Sequence, residues 1–141
     1  PTLASKSKIL ASHPAKSLMA LNDQMLPESS HDRSIIYYHW WPKNKTTEWV
    51  QYDFEKEATV TSSKVYWYDD GPFGGCRIPE GWKLLYKKGN NWIPVKTTTS
   101  YNVAKDAFCS VSFEAVKTTA LRMEVKLPEE HAAGIMEWSV D

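Results

Sequence analysis

A period of two in the hydrophobic pattern constrains this chain more than any other feature. In Glu48–Phe54, Val50, Tyr52 and Phe54 fall on one face and Trp49, Gln51 and Asp53 on the other, because successive side chains of an extended strand point to opposite sides. Thr59–Tyr68 is rich in β-branched and aromatic residues and sets Val65 and Trp67 against Lys64, Tyr66 and Tyr68. Trp82–Lys87 and Asn91–Lys96 flank Lys88-Gly89-Asn90, a hairpin signal because Gly and Asn tolerate positive φ. Ser110–Ala115, Leu121–Val125 and Ile135–Val140 supply the remaining strands. One helical turn is expected at Ala15–Leu21, with Pro14 suited to its start. Pro72, Pro79, Pro94 and Pro128 fall at turns or strand edges. Strands at near-regular spacing without intervening helices predict an all-β fold, an antiparallel β-sandwich or jelly roll, as one module over residues 1–141.

The balance of 17 basic and 17 acidic residues leaves no global field for nucleic acid or an anionic bilayer. Only Arg33, Arg77 and Arg122 offer the forked donor that phosphate readers favour, so a neutral ligand is expected. Aromatics make up 13% of the chain, with seven Trp and seven Tyr. That is more than a small core needs, and it points to rings lining a surface. No run of apolar residues is long enough to span a membrane. Cys76 and Cys109 permit one disulfide, but their settings, a Gly-rich loop and a strand start, favour two free thiols. The chain starts at Pro1 and reads as a piece of a larger protein.

Four segments, in order, carry a family resemblance. They are Leu21-Asn22-Asp23; Trp40-Trp41 followed by Glu48–Phe54; Thr119–Val125; and the closing Gly134–Val140. Together they resemble the galactose-binding-like fold, also called the coagulation factor type C or discoidin fold. The nearest likeness is to carbohydrate-binding modules appended to bacterial glycoside hydrolases. The Tyr68–Pro79 loop looks like one found in modules of polysaccharide-degrading gut bacteria. The resemblance implies a non-catalytic, monomeric module that binds an oligo- or polysaccharide for a catalytic domain of the same polypeptide, in a secreted, periplasmic or cell-surface protein. It also implies a structural Ca²⁺, with Asp23 of the early turn and Glu137 of the last strand as contributors. Here Asp23 is followed by Gln24 rather than the usual Gly. Two carboxylates plus backbone carbonyls suit the six to eight oxygens that calcium takes.

The family binds sugar on loops at one end of the sandwich. An aromatic ring stacks on the C–H face of a pyranose, and polar side chains pair with its hydroxyls. On that basis Trp40 and Trp41 are candidates, with at most one of the pair in the core because neighbours on a strand diverge. Asp69, Asp70, Phe73 and Arg77 form the strongest group, supplying acceptors, a ring and a forked donor from one loop. Tyr101, with Asn102, is a further candidate from a neighbouring loop. Trp49, Trp67, Trp82 and Trp138 are expected to pack in or near the core. The four His lack metal-ligand spacing.

Three rivals stand beside this reading. A glycosidase would need two carboxylates flanking one bond, and those of adjacent Asp69 and Asp70 diverge on extended chain. A phospholipid binder would need apolar spikes ringed by basic residues. A buttressing sandwich without a sugar site would leave Trp41, Asp69, Phe73 and Arg77 buried, or facing a partner domain, instead of converging on an open patch.

Overall fold

A computed structural model describes residues 1–141. The seven strands are β1 (Lys8–Ala11), β2 (Tyr38–His39), β3 (Thr47–Tyr68), β4 (Gly81–Lys88), β5 (Asn91–Pro94), β6 (Phe108–Lys126) and β7 (Gly134–Val140). All pairings between them are antiparallel. Two segments expected as separate strands, Glu48–Phe54 and Thr59–Tyr68, are the two halves of β3. Ser110–Ala115 and Leu121–Val125 are likewise the halves of β6. The ladder between β3 and β6 slips register at Asp53/Ala58 and again at Val60/Ser62. Such irregularities bend a strand and increase its twist.

The bend makes a sandwich of a single ladder. The first half of β3 pairs with β1 and with the end of β6, which continues into β4 and β5. The second half of β3 pairs with the start of β6 and with β7, which carries β2 on its far side. Tyr52 and Trp138 stack across the layers with centroids 4.1 Å apart, and the Tyr52 hydroxyl donates to the Trp138 carbonyl at 2.7 Å. The Trp138 indole N–H donates to Ser63 Oγ at 2.8 Å, so the polar atoms of this buried stack are satisfied. Trp67 and Trp82 meet edge to face. Val50, Tyr52 and Phe54 are buried as their alternation predicts.

The end of β3, Val65–Tyr68, is buried on both faces. Tyr66 and Tyr68 lie with Ile35, Cys76, Ala132 and Met136 in a smaller cluster outside the main core. Simple alternation had placed Tyr66 and Tyr68 opposite the core. The Gly89-Asn90 turn forms as expected, with Gly89 at φ 62°. The expected helical turn is a 3₁₀ helix at Lys16–Asn22. β1 carries no sequence expectation, and β2 falls in the strand-like run that precedes Trp40-Trp41. Both cysteines are buried free thiols.

Candidate functional site

The run Ile35–Trp41 enters and leaves β2, and its side chains alternate. Tyr38 and Trp40 point into the core at 0% exposure, while Trp41 is 55% and Tyr37 is 37% exposed. Gly134 lets this segment lie close to β7, since a Cβ there would come within 2.6 Å of the Tyr38 carbonyl oxygen. Trp40 is therefore a core residue and not a ligand contact, a correction to its candidacy. Only one of the tryptophan pair is available to a ligand.

The loop from Asp69 to Arg77 fixes the opposite wall. Asp69 is 5% exposed, and its carboxylate accepts from the amides of Gly71 (3.0 Å) and Ile78 (2.9 Å). Lys105 lies 3.5 Å from Asp69 Oδ1. A buried carboxylate held this way stabilises loop shape, because losing any partner would strand its charge. Asp70 Oδ1 accepts from the Cys76 amide at 2.8 Å, and the Asp70 carbonyl accepts from the amides of Phe73 and Gly74. Arg77 spends its Nη1 on the carbonyls of Gly74 (2.7 Å) and Cys76 (2.8 Å), and it sits 3.6 Å from Asp70. Asp69 and Arg77 thus brace the loop from within rather than facing a ligand, which corrects the role expected of them. Phe73, at the loop tip, is 89% exposed.

Two hollows open between these walls. One, of about 450 Å³, is lined by residues that include His31, Arg33, Tyr37 and Phe73. The other, of about 460 Å³, adds His39, Trp41 and Gly75. They share Tyr37, Tyr68, Asp70, Phe73 and Gly74. Tyr37 and Tyr68 stack nearly parallel, with centroids 3.7 Å apart and planes 9° apart. The Tyr68 hydroxyl donates to Asp70 Oδ2 at 3.3 Å. Burial, followed by hydrogen bonding with Tyr37, raises the Tyr68 phenol well above its ordinary range, so it remains a donor at any working pH. Burial and then His13 lower the His39 imidazole, against a raising effect of Asp70. Burial, with Asp70 next, pushes the Cys76 thiol up to about 12, which leaves it a packing group and not a nucleophile.

Of the candidates read from sequence, Trp41, Asp70 and Phe73 line the hollows. Tyr101 does not reach them. Its hydroxyl accepts from the Leu84 amide at 2.9 Å and its ring packs edge to face on Trp82, so it belongs to the core's flank. Sequence reasoning passed over Tyr37, Tyr68, His31, His39 and Arg33. The alternation through Ile35–Trp41 already places Tyr37 and His39 on the same side as Trp41. The loop residues His31 and Arg33 carried no pattern.

Gly75 sets how Trp41 rests on the loop. A Cβ there would clash with Cδ1 and Nε1 of the Trp41 indole. Trp41 is otherwise largely exposed, so Gly75→Ala should displace the ring while the fold stays intact. The expected result is a Tm within about 2 °C of wild type, because surface changes stay within about 0.5 kcal/mol, together with weaker ligand binding. Unchanged binding would mean that the ring position is immaterial.

A second polar site lies where the 3₁₀ helix meets β7. The carboxyls of Asp23 and Glu137 are within hydrogen-bonding reach, and burial followed by the Asp23 neighbour pushes the Glu137 carboxyl up to about 9. Glu137 is buried, and its Oε1 has no hydrogen-bond partner. An orphaned carboxylate oxygen beside a second carboxyl is the environment a hard cation relieves. The two residues fit a calcium ion, with remaining ligands to come from backbone carbonyls. No cluster of three or more His, Cys, Asp or Glu side chains is present.

Comparisons with known proteins agree with this architecture. The model of the NedA-like, galactose-binding domain matches residues 31–123. No curated protein sequence matches the chain. Among solved structures, a chain of the Streptococcus pneumoniae beta-galactosidase BgaA superposes with a TM-score of 0.81 at 16% identity, covering 95% of this chain and 90% of that one. The family 32 carbohydrate-binding module of C. perfringens NanJ, solved with galactose, gives 0.70 at 11%, covering 98% and 95%. A putative alpha-L-fucosidase from Bacteroides thetaiotaomicron gives 0.72 at 16%, covering 99% of this chain but 28% of that one. At these identities the superpositions establish the fold. With the family model spanning most of both sheets, this chain belongs to the NedA-like, galactose-binding domain family.

Proposed function

We propose that this chain is a non-catalytic carbohydrate-binding module that tethers an attached glycoside hydrolase to its glycan. The observation that carries the reading is the pair of open hollows walled by Trp41, Phe73 and the Tyr37–Tyr68 stack. The exposed Phe73 stands on a loop braced by the Asp69–Lys105 ion pair and amide hydrogen bonds, and with exposed Trp41 and Tyr37 it makes an aromatic patch, the kind of surface that marks a binding site. A pyranose presents the apolar face and hydroxyl rim that such a surface matches. Each hollow falls in the range of about 300–1,000 Å³ usual for ligand sites. Affinity in a shallow site is modest, since each hydroxyl exchanges water for protein at small net gain. Tethering makes modest affinity sufficient, because linkage raises the effective concentration of the catalytic domain at its polymer.

Relatives in fold come from glycan-degrading enzymes, and this chain superposes on only 28% of a putative alpha-L-fucosidase. Both facts support a module within a larger secreted, periplasmic or cell-surface enzyme. A structural calcium held by Asp23 and Glu137 would pin the 3₁₀ helix to β7. A glycan-array screen of the isolated chain tests the function, with Trp41→Ala as its control. Binding to one class of glycan that Trp41→Ala abolishes supports the proposal. Absence of binding to every glycan would leave the sandwich as a buttress.

A further inference from the structure

The two hollows differ in chemistry, and this bears on what kind of glycan fits. The Trp41 hollow is lined by rings, glycines and a buried thiol, with Asp70 as its one carboxylate. Its neighbour carries His31, Asp32 and Arg33 on the Phe73 side. The acids there are already engaged. Asp32 accepts from the Ser34 hydroxyl (2.6 Å), the Ser34 amide (3.1 Å) and the Glu28 amide (3.2 Å). Those bonds, the Ser34 hydroxyl first, hold its carboxyl below the usual range. Asp70 is taken up by Cys76, Tyr68 and Arg77. Arg33 takes part in none of the five ion pairs of the chain and donates no side-chain hydrogen bond. It is exposed, and it is the one guanidinium that lines the hollows, whereas Arg77, one loop away, turns its Nη1 to two carbonyls.

We infer that the ligand is an oligosaccharide of at least two units spanning the Phe73 divider, with a neutral sugar on Trp41 and an anionic sugar against Arg33. This rests on the proposed carbohydrate-binding function and narrows its substrate class. The shared wall of Tyr37, Tyr68, Asp70, Phe73 and Gly74 places both units on one continuous surface, so one chain can occupy both hollows. A planar guanidinium with unspent donors pairs with a carboxylate or sulfate in a forked geometry that a hydroxyl cannot match. The neutral total charge of the chain does not oppose this, because the pairing is local.

The test uses paired disaccharides that differ only in the anionic group: a neutral hexose linked to a uronic acid with its carboxyl-reduced form, and a galactose disaccharide sulfated on one unit with its desulfated form. Titration calorimetry of the whole chain should show one anionic member binding roughly tenfold tighter than its neutral twin, with the advantage shrinking as salt rises. Whichever pair shows the difference identifies carboxylate or sulfate. Arg33→Gln should erase the difference between the two members, whereas Trp41→Ala should weaken both alike and keep the difference. Equal binding of both twins, or an anionic preference that survives Arg33→Gln, overturns the inference and leaves carbohydrate binding standing. Binding of neither twin in either pair overturns the inference. If a glycan array is also blank, carbohydrate binding falls with it.

Discussion

Replacing Trp41 by Ala should weaken glycan binding about 30-fold and leave the melting temperature almost where it was, while the same change at Trp40 should do the reverse. The two rings are adjacent in the chain and differ only in the side of β2's exit on which they fall. Trp41 is 55% exposed and Trp40 is fully buried. Covering roughly 50 Å² of the Trp41 ring with a sugar face contributes about 1.2 kcal/mol at 25 cal/mol/Å². Stacking geometry adds about 0.5–1.5 kcal/mol. The sum, about 2 kcal/mol, is a factor of roughly 30 in Kd. Trp40 packs edge to face on Tyr38 in the main core, and its removal leaves a cavity costing about 3–5 kcal/mol. For a chain of this size that lowers Tm by roughly 10–17 °C. Calorimetric titration and a thermal melt of both variants check the pair. A Trp41→Ala chain that binds normally would remove the aromatic wall from the site.

The same two residues show how far the sequence could be read. Alternation allows at most one of the pair in the core but does not say which, because that depends on how the segment docks on β7, far along the chain, where Gly134 lies against Tyr38 and His39. The strands were legible because a half-buried sheet imposes a period of two, and Val50, Tyr52 and Phe54 obey it. The continuity of β3 and β6 was not, because the bends at Asp53/Ala58 and Val60/Ser62 interrupt the pattern as a turn would. In the Asp69–Arg77 loop the composition identified the right segment and the wrong roles. Carboxylates and guanidinium groups look alike in sequence whether their partners are backbone amides or a sugar. Only the hydrogen bonds of Asp69 to Gly71 and Ile78, and of Arg77 to Gly74 and Cys76, separate bracing from binding. Tyr68 was passed over for a related reason. It ends β3 in the stretch Val65–Tyr68, which is buried on both faces, and there alternation no longer distinguishes inside from outside.

Glu137 supports a prediction in which the sign of the pH dependence matters. In the chain without metal, burial and the Asp23 neighbour put the Glu137 carboxyl at about 9, against about 4.3 for a free Glu. Between those values the folded chain keeps a proton that the unfolded chain has released. By linkage, this contribution to stability is complete below about pH 4 and is lost as pH rises toward 9. Calcium should reverse the trend, since it takes the place of the proton and binds better as the carboxyl ionises. At pH 8, calcium at a hundredfold excess over its Kd should stabilise the fold by about 2.7 kcal/mol. That raises Tm by roughly 8 °C, and chelator should remove the gain. Glu137→Gln keeps the size of the side chain while removing both the titration and the ligand. It should flatten the metal-free Tm across pH 5 to 8 and abolish most of the calcium shift. Melts in chelator and in calcium at both pH values distinguish the cases. A wild-type chain that ignores calcium at pH 8 would leave Glu137 a buried acid beside Asp23, with no part for a metal in holding the 3₁₀ helix to β7.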